Sequence, residues 1–427
     1  MTAVLVTFFL LLVFGMPVGY ALGIAGMAGM WSIDAAGRFL PMAAERFFAG
    51  LDLFPFLAMP FFILAGEIMN RSGITDRLVG FADSLVGYLR GGMAHSNMLA
   101  SVFFAGITGA ATADAAAFGN TLVPAMVKQG YSRPFACAVT AAGSIIGPTI
   151  PPSTLMVIYG SIMGVSIAGL FAAGILPGLL ICLLCMAVIA SLARRLNLPK
   201  SDQQPSLRSI LRAFRESLSA LVLPVIVLGG ILGITTPTEA ASVAVFYALV
   251  LGGLVYRRIT FTDLLEMLIR TSRITGVIFL IIASASIVGW WMTFNQIPQA
   301  IAAGFLAIST DPNAIIAMVL ALLLVIGLFM DINATLIILA PVLAPLMASI
   351  GVEPVHAGIM IILALNISLM TPPVGACLFV LASVTGERIE AIARSLWPFL
   401  VAEVAVLLII AYWPNLTLFV PRLLGLQ

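Results

Sequence analysis

Uninterrupted apolar runs divide this sequence, and they constrain its fold more than any other feature. A helix needs roughly 20 apolar residues to cross the hydrocarbon core of a bilayer. In lipid every backbone N–H and C=O must be bonded within the structure itself. Runs of this kind fall at about 2–14 (short), 16–33, 53–70, 134–160, 169–190, 218–235, 239–255, 275–293, 355–382 and 397–415. Composition agrees: 9% of the 427 residues are charged and 62% are hydrophobic, against about 25% charged in soluble domains. So few charges exclude a soluble enzyme, a nucleic-acid binder and a disordered chain. The lipid bilayer is the expected solvent, and the expected class is an all-α polytopic membrane protein.

Several chemistries are excluded by what the sequence lacks. Cys137, Cys182, Cys185 and Cys377 all lie in apolar stretches. The Cys182-x-x-Cys185 spacing has no second pair to complete a metal site, so small apolar packing accounts for it. The two histidines, His95 and His356, are far apart. No Walker A loop, His-Glu-x-x-His run or Asp-x-x-Asp pair is present, which argues against ATP hydrolysis and an intramembrane metalloenzyme. The first residues have neither a basic flank nor an A-x-A site and are read as membrane helices rather than a cleaved signal.

Two further apolar stretches, about 93–127 and 311–347, have a polar interruption near the middle: GITGAATAD (Gly106 to Asp114) and GLFMDINAT (Gly327 to Thr335). Each is expected to be a re-entrant helical hairpin. With the N-terminus outside, all of the 20 Lys and Arg except Arg38, Arg46 and Arg422 fall on the inner side, as the positive-inside rule requires. That places both termini outside, the ends of the first hairpin inside and those of the second outside. The polar segment 191–216 becomes an inner linker. Amphipathic stretches at about 35–50, 75–90, 259–272 and 296–309 are either helices along the membrane surface or ordinary connecting loops.

The chain also matches itself at an offset of 221 residues. Gly106 meets Gly327, Pro124 meets Pro345, Gly130 meets Gly351, Pro151 and Pro152 meet Pro372 and Pro373, and Pro177 meets Pro398. The charge-derived topology gives the halves, 1–190 and 217–427, opposite orientations. Inverted repeats with broken helices are the architecture of secondary transporters.

In each half the hairpin precedes a helix broken by a proline pair: SIIGPTIPPST (Ser144 to Thr154), within about 134–160, and NISLMTPPVG (Asn366 to Gly375), within about 355–382. Paired prolines free several carbonyls at membrane depth, and an isolated structural kink does not explain two pairs related by the repeat. Freed carbonyls and neighbouring hydroxyls suit a hard cation such as Na⁺, and half-helix N-termini suit an anion. One cation site is therefore expected between each tip and its break. The first uses Gly106, Thr108, Gly109 and Thr112 with Ser144, Gly147 and Thr149. The second uses Gly327, Asp331 and Asn333 with Asn366, Thr371 and Gly375. Substrate contacts are expected at Asp114, Pro151, Pro152, Ser153, Thr154, Pro372 and Pro373. Of the other intramembrane acids, Glu67 is expected near water or a basic neighbour, and Glu239, behind Thr236-Pro237-Thr238, as a helix cap. Glu403 has no assigned role.

At these residues the sequence resembles a known family. The stretches PFFILAGEIMNRSGITDRLVGFADSLVGYLRGG (60–92), GITGAATADAAAFGNTLVPAMVKQGY (106–131), GPTIPPSTLMVIYG (147–160) and GITTPTEAASVAVFYALVLG (233–252) resemble the DctM-like large membrane subunit of tripartite ATP-independent periplasmic (TRAP) transporters. The family's serine-rich first tip is here Thr108-Gly109-Ala110-Ala111-Thr112. The resemblance implies Na⁺-coupled import of an organic acid, such as a C4-dicarboxylate or a sugar acid, across the bacterial inner membrane. It also implies an elevator-type ion transporter architecture. The scaffold would lie mainly in 1–50 and 218–258, and the hairpins and broken helices would form the moving domain. Two partners are implied: a small four-helix DctQ-like membrane subunit and a periplasmic DctP-like substrate-binding protein. The alternatives are a stand-alone Na⁺/dicarboxylate symporter of related architecture, an intramembrane enzyme, and a passive channel.

Overall fold

With no water at membrane depth to satisfy the backbone, the chain is helical almost throughout. The computed structural model describes residues 2–33, 37–200, 206–231, 235–373 and 375–426, with the side chains of 107, 108, 228 and 231 outside that description. Parts of the expected linker (201–205), of the first amphipathic stretch (35–36) and of the second break (374) lie outside the described residues. Helix accounts for 81% of the chain, with no strand among the described residues.

The first half runs α1 (Thr2–Val13), α2 (Val18–Ile33), α3 (Leu40–Ala49), a 3₁₀ turn (Phe54–Leu57), α4 (Ala58–Arg71), α5 (Ile74–Val86), α6 (Gly92–Thr108), α7 (Ala111–Lys128), α8 (Arg133–Ser144), α9 (Thr154–Met163) and α10 (Ile167–Arg195). The second runs α11 (Leu207–Ile231), α12 (Pro237–Leu249) with a π-helical extension (Val250–Val255), α13 (Phe261–Phe294), α14 (Ile297–Ile308), α15 (Pro312–Gly327), α16 (Ile332–Ser349), α17 (Pro354–Ser368), α18 (Ala376–Thr385), α19 (Ile389–Tyr412) and α20 (Asn415–Leu423). The order recurs at the sequence offset: α7 and α16 start and end 221 residues apart. Helices α6 and α7, joined through Gly109 and Ala110, pack on each other, as do α15 and α16.

Five helices among the described residues are long and apolar enough to cross a membrane, and six if α3 and the segment Phe54–Arg71, bent by 60°, count as one. The protein is therefore a multi-pass membrane protein. Several of the expected crossings are shorter apolar helices, among them α1, α2, α9 and α17.

The core sits on the broken helices. Every residue of α17 from Val355 to Ser368 is buried, as is every residue of α8 from Phe135 to Ser144. A helix apolar on all faces belongs at the centre of such a protein. At the periphery α2 meets α13 through a small-residue stripe. A Cβ on Gly26 would lie 2.8 Å from Ile287 Cγ2, and one on Gly29 within 3.0 Å of the Trp291 ring. Without a hydrophobic drive between helices in lipid, such close approach supplies the attraction.

Two expectations change. The stretch 259–272 is not a separate helix but the first third of α13, 34 residues long. A capping box of Thr260 and Asp263 starts that helix, and no proline or glycine interrupts it before Gly276. In the first half, Gly50 and Pro55 separate the corresponding α3 from α4. The inner linker is also shorter than 191–216, because α10 continues to Arg195 and α11 begins at Leu207. Of the two alternatives left open for 75–90 and 296–309, both stretches take the helical one, as α5 and α14. Glu239 closes a capping box with Thr236, as expected: Glu239 Oε2 accepts the Thr236 N–H at 2.7 Å.

Candidate functional site

Each hairpin and each broken helix leaves a helix start in mid-protein, with N–H groups that have no intrahelical partner. Helix α7 starts behind Gly109 and Ala110, and α9 behind Ser153, whose Oγ accepts the Met156 N–H at 3.4 Å. Helix α16 starts behind Asp331, whose Oδ1 accepts the N–H of Asn333 at 2.9 Å and of Ala334 at 3.2 Å. Helix α18 starts behind Gly375, at φ +31°.

All four starts line one cavity of about 410 Å³: Gly109 to Ala113 of α7, Thr154 and Leu155 of α9, Asp331 to Asn333 of α16, and Ala376 of α18. Its other wall is Ile63, Gly66, Glu67 and Asn70 of α4 with Arg270, Ile274 and Ile278 of α13. The size is that of a small-molecule site. Converging helix N-termini carry partial positive charge, the arrangement that binds anions, although Ser153 and Asp331 already accept from N–H groups of α9 and α16. Arg270 adds a full charge. Its Nε lies 3.2 Å from Glu67 Oε1, and the side chain remains 63% exposed. Farther along, Arg71 Nε donates to Asp263 Oδ1 at 3.1 Å, tying the end of α4 to the start of α13.

The expected site residues divide into two groups. Gly109, Thr112, Thr154, Asp331 and Asn333 line the cavity. Pro148 of the first break also lines it, and the other expected residues of that break lie behind it. Gly109, at φ +61°, is so close to the Pro152 carbonyl oxygen that a Cβ there would collide with it. Asp114 is fully buried, with Oδ2 where a Cβ on Gly147 would stand. The hydroxyls of Ser144 and Thr149 donate to the carbonyls of Ala141 (2.6 Å) and Ile145 (2.8 Å), leaving their oxygens able to accept. Ser153 and the pair Pro151 and Pro152 are buried.

In the second half, Gly327 packs on Ser368 and Gly375 beside the Thr371 carbonyl. The Thr371 hydroxyl donates to Ile367 O at 2.8 Å. Pro372 and Pro373 are exposed, unlike their counterparts. Asn366 crosses between the halves: its Nδ2 donates to Thr149 Oγ1 at 3.3 Å, and its Oδ1 is buried with no hydrogen-bond partner. Residues expected in two separate cation sites thus meet at the centre. Gly106 faces elsewhere, since a Cβ there would lie 2.5 Å from Pro224 Cγ of α11. The side chain of Thr108 lies outside the described residues. Both peptide bonds Pro151–Pro152 and Pro372–Pro373 are cis.

Among the described residues no group of three or more His, Cys, Asp or Glu gathers to hold a metal. The donors at the centre are carbonyl, hydroxyl and amide oxygens with the carboxylate of Asp114 beside Gly147, a set suited to hard cations. Arg270 and Asn70 were absent from the expected site, and Glu67, expected beside water or a basic neighbour, was not placed in it; its basic neighbour is Arg270. Their signal was present as spacing. Arg270, Ile274 and Ile278 recur every four residues, and Ile63, Gly66, Glu67 and Asn70 share one helix face.

Comparison with known proteins agrees with this architecture. The family described as "Tripartite ATP-independent periplasmic transporter, DctM component" matches residues 5–416. The chain is 39% identical over 417 residues to the sialic acid TRAP transporter large permease protein SiaM of Vibrio cholerae, covering 97% of this chain and 96% of that one. It is 37% identical over 385 residues to the C4-dicarboxylate TRAP transporter large permease protein DctM of Pseudomonas aeruginosa, covering 90% of each. Among solved structures, the Alcanivorax borkumensis YdaH transporter shares the fold, with a TM-score of 0.62 at 17% identity over 90% of each chain.

Proposed function

This chain belongs to the DctM family of large permease subunits of TRAP transporters, and from that premise we propose that it is the membrane subunit of a Na⁺-coupled importer of an organic acid. The observation that carries the proposal is the convergence of four helix N-termini and Arg270 on one cavity of about 410 Å³. That wall suits a carboxylate, the group common to sialic acid and C4-dicarboxylates, on which relatives act by name.

Na⁺ enters this reading as co-transported cargo. The orphaned Asn366 Oδ1, the Thr149 and Ser144 oxygens and the carbonyl of Pro152 beside Gly109 are the groups that would hold it, behind the anion. Mainly neutral oxygens, with the single acid Asp114 beside Gly147, bind such an ion weakly enough to release it each cycle, and the nearby cation favours a bound carboxylate. Asp331, already capping α16, would act on the substrate side through its neighbour Asn333. The hairpins, broken helices, α10 and α19 form the moving unit in this reading, and α1 to α4 with α11 to α13 the scaffold.

The proposed setting is the bacterial inner membrane, with both termini periplasmic. The proposed partners are a DctQ-like four-helix subunit and a DctP-like binding protein that delivers the substrate. The test is uptake by proteoliposomes given an imposed Na⁺ gradient, a panel of organic acids and the cognate binding protein. Uptake of one acid that needs both Na⁺ and the binding protein is the expected result. Uptake independent of the binding protein would make the chain a stand-alone symporter, and uptake independent of Na⁺ would remove the coupling.

A further inference from the structure

A second cavity, of about 430 Å³, lies beyond the first along the same helices. Helix α9 gives Thr154 and Leu155 to the first cavity and Ile162 to the second; α16 gives Asp331 to Asn333 and then Ile337 and Pro341. Seven or eight residues of α9 separate its two sets, roughly 10 Å, and four residues of α16, from Asn333 to Ile337, roughly 6 Å. Helix α13 likewise runs from Arg270 to Ile278 in the first and from Ile282 to Thr293 in the second. The cavities are therefore consecutive along one path.

The second cavity also contains an arginine, Arg46 of α3. At the repeat offset of 221, α3 corresponds to the first ten residues of α13. Arg46 and Arg270 are thus on the same repeated element, one helical turn apart and on the same face. They differ in their partners. Arg270 meets Glu67, whereas the residue corresponding to Glu67 is Val288. No salt bridge among the described residues reaches Arg46, and its Nε is buried with no hydrogen-bond partner. Arg46 as a whole is half-buried, and its enclosed Nε is a donor that a ligand in the cavity would match. Topology does not account for it either, because Arg46 is one of the three basic residues the positive-inside rule leaves outside. Ser286 and Thr293 line the same space, but their hydroxyls donate to the carbonyls of Ile282 (3.1 Å) and Gly289 (2.9 Å), so Arg46 is the donor left for an anion there.

We propose that this second cavity is an organic-anion site on the face opposite the Arg270 cavity, in which Arg46 holds the anionic group of the transported acid. The inference rests on reading the Arg270 cavity as the substrate site. The two-arginine arrangement would let the anion meet a cation at both ends of its path.

The test measures the local field and its sidedness without knowing the substrate. Ser286→Cys is introduced into the full chain in oriented proteoliposomes, with Thr293→Cys as a second reporter should the first fail to fold. The four native cysteines are buried. Labelling rates are measured for two methanethiosulfonates, one ending in a sulfonate and one in a trimethylammonium group, each normalised to its rate with free cysteine. The sulfonate should be favoured by about tenfold, the effect of one nearby cation in a partly screened site, and only from the side of the N-terminus. Arg46→Gln should abolish the preference and Arg46→Lys should keep it. Equal rates, a preference indifferent to Arg46→Gln, labelling from the opposite side alone, or no labelling of either reporter would each overturn the proposal. Ile274→Cys with Arg270→Gln is the parallel pair for the first cavity. No anion preference at Ile274→Cys, or a preference there that survives Arg270→Gln, refutes the substrate reading itself, whereas failure at the Ser286 and Thr293 reporters alone refutes only the second site.

Discussion

Gly109 is where the first hairpin tip meets the first broken segment, and Gly109→Ala tests that contact. Its φ is +61°, in the left-handed region where a Cβ costs roughly 1–2 kcal/mol. A Cβ there would also collide with the Pro152 carbonyl oxygen and lie 3.2 Å from its carbon. These are backbone atoms of a buried segment and cannot swing aside as the end of a side chain can. Overpacking of this kind costs about 1–3 kcal/mol, so the total is about 2–5 kcal/mol. Gly164 is the control: it has φ +64° and nothing within 4 Å of an added Cβ, so Gly164→Ala carries the conformational cost alone. The assay is thermal unfolding of both variants in one detergent, followed by the Na⁺ dependence of uptake. Gly109→Ala should melt clearly below Gly164→Ala. The Na⁺ concentration for half-maximal uptake should rise about tenfold if 1.4 kcal/mol of the clash falls on the ion site. Equal melting of the two variants, with wild-type Na⁺ dependence in both, would refute the claim that this contact is tight and serves the ion.

Three further outcomes follow from the same geometry. Arg270→Gln should raise the substrate concentration for half-maximal uptake tenfold or more, since a hydrogen bond to a charged group is worth about 1.5–3 kcal/mol, and Arg270→Lys should recover part of it; unchanged kinetics would remove Arg270 from the site. Purified protein should melt higher in NaCl than in choline chloride, because Na⁺ binds the folded form, and Asn366→Leu should erase that difference; an equal Na⁺ response in the variant would exclude Oδ1 as a ligand. Thr236→Ala breaks the capping box with Glu239 and should lower stability by about 1 kcal/mol while leaving uptake per folded molecule unchanged; a loss of uptake larger than the loss of stability would give that cap a functional part.

The hairpins and breaks were legible because prolines and glycines act locally. A proline pair interrupts a helix whatever surrounds it, so the repeat of Pro151–Pro152 at Pro372–Pro373 located both centres. Glu239 was legible for the same reason, since a cap needs only its own first turn. The wall of the cavity was not. Arg270 reads locally as one more inner positive charge, and only the packing of α13 against α4 sets it beside Glu67. Gly106 looked like part of the tip because it belongs to the repeat, but its small size serves the approach of Pro224. The unbroken length of α13 was missed because the polar residues before Thr275 read as a surface segment, although no helix breaker separates them from the apolar part. Asn366 and Thr149 were placed in different sites because the sequence repeat separates the halves, whereas the fold brings the two breaks together.

The most direct test is an experimental density map of the full chain with Na⁺ and the acid it transports. The account predicts the carboxylate among the N-termini of α7, α9, α16 and α18 and beside Arg270, with ion density at the junction of Pro152, Thr149 and Asn366. Substrate density away from both arginine-lined cavities, or an empty junction at saturating Na⁺, would contradict it.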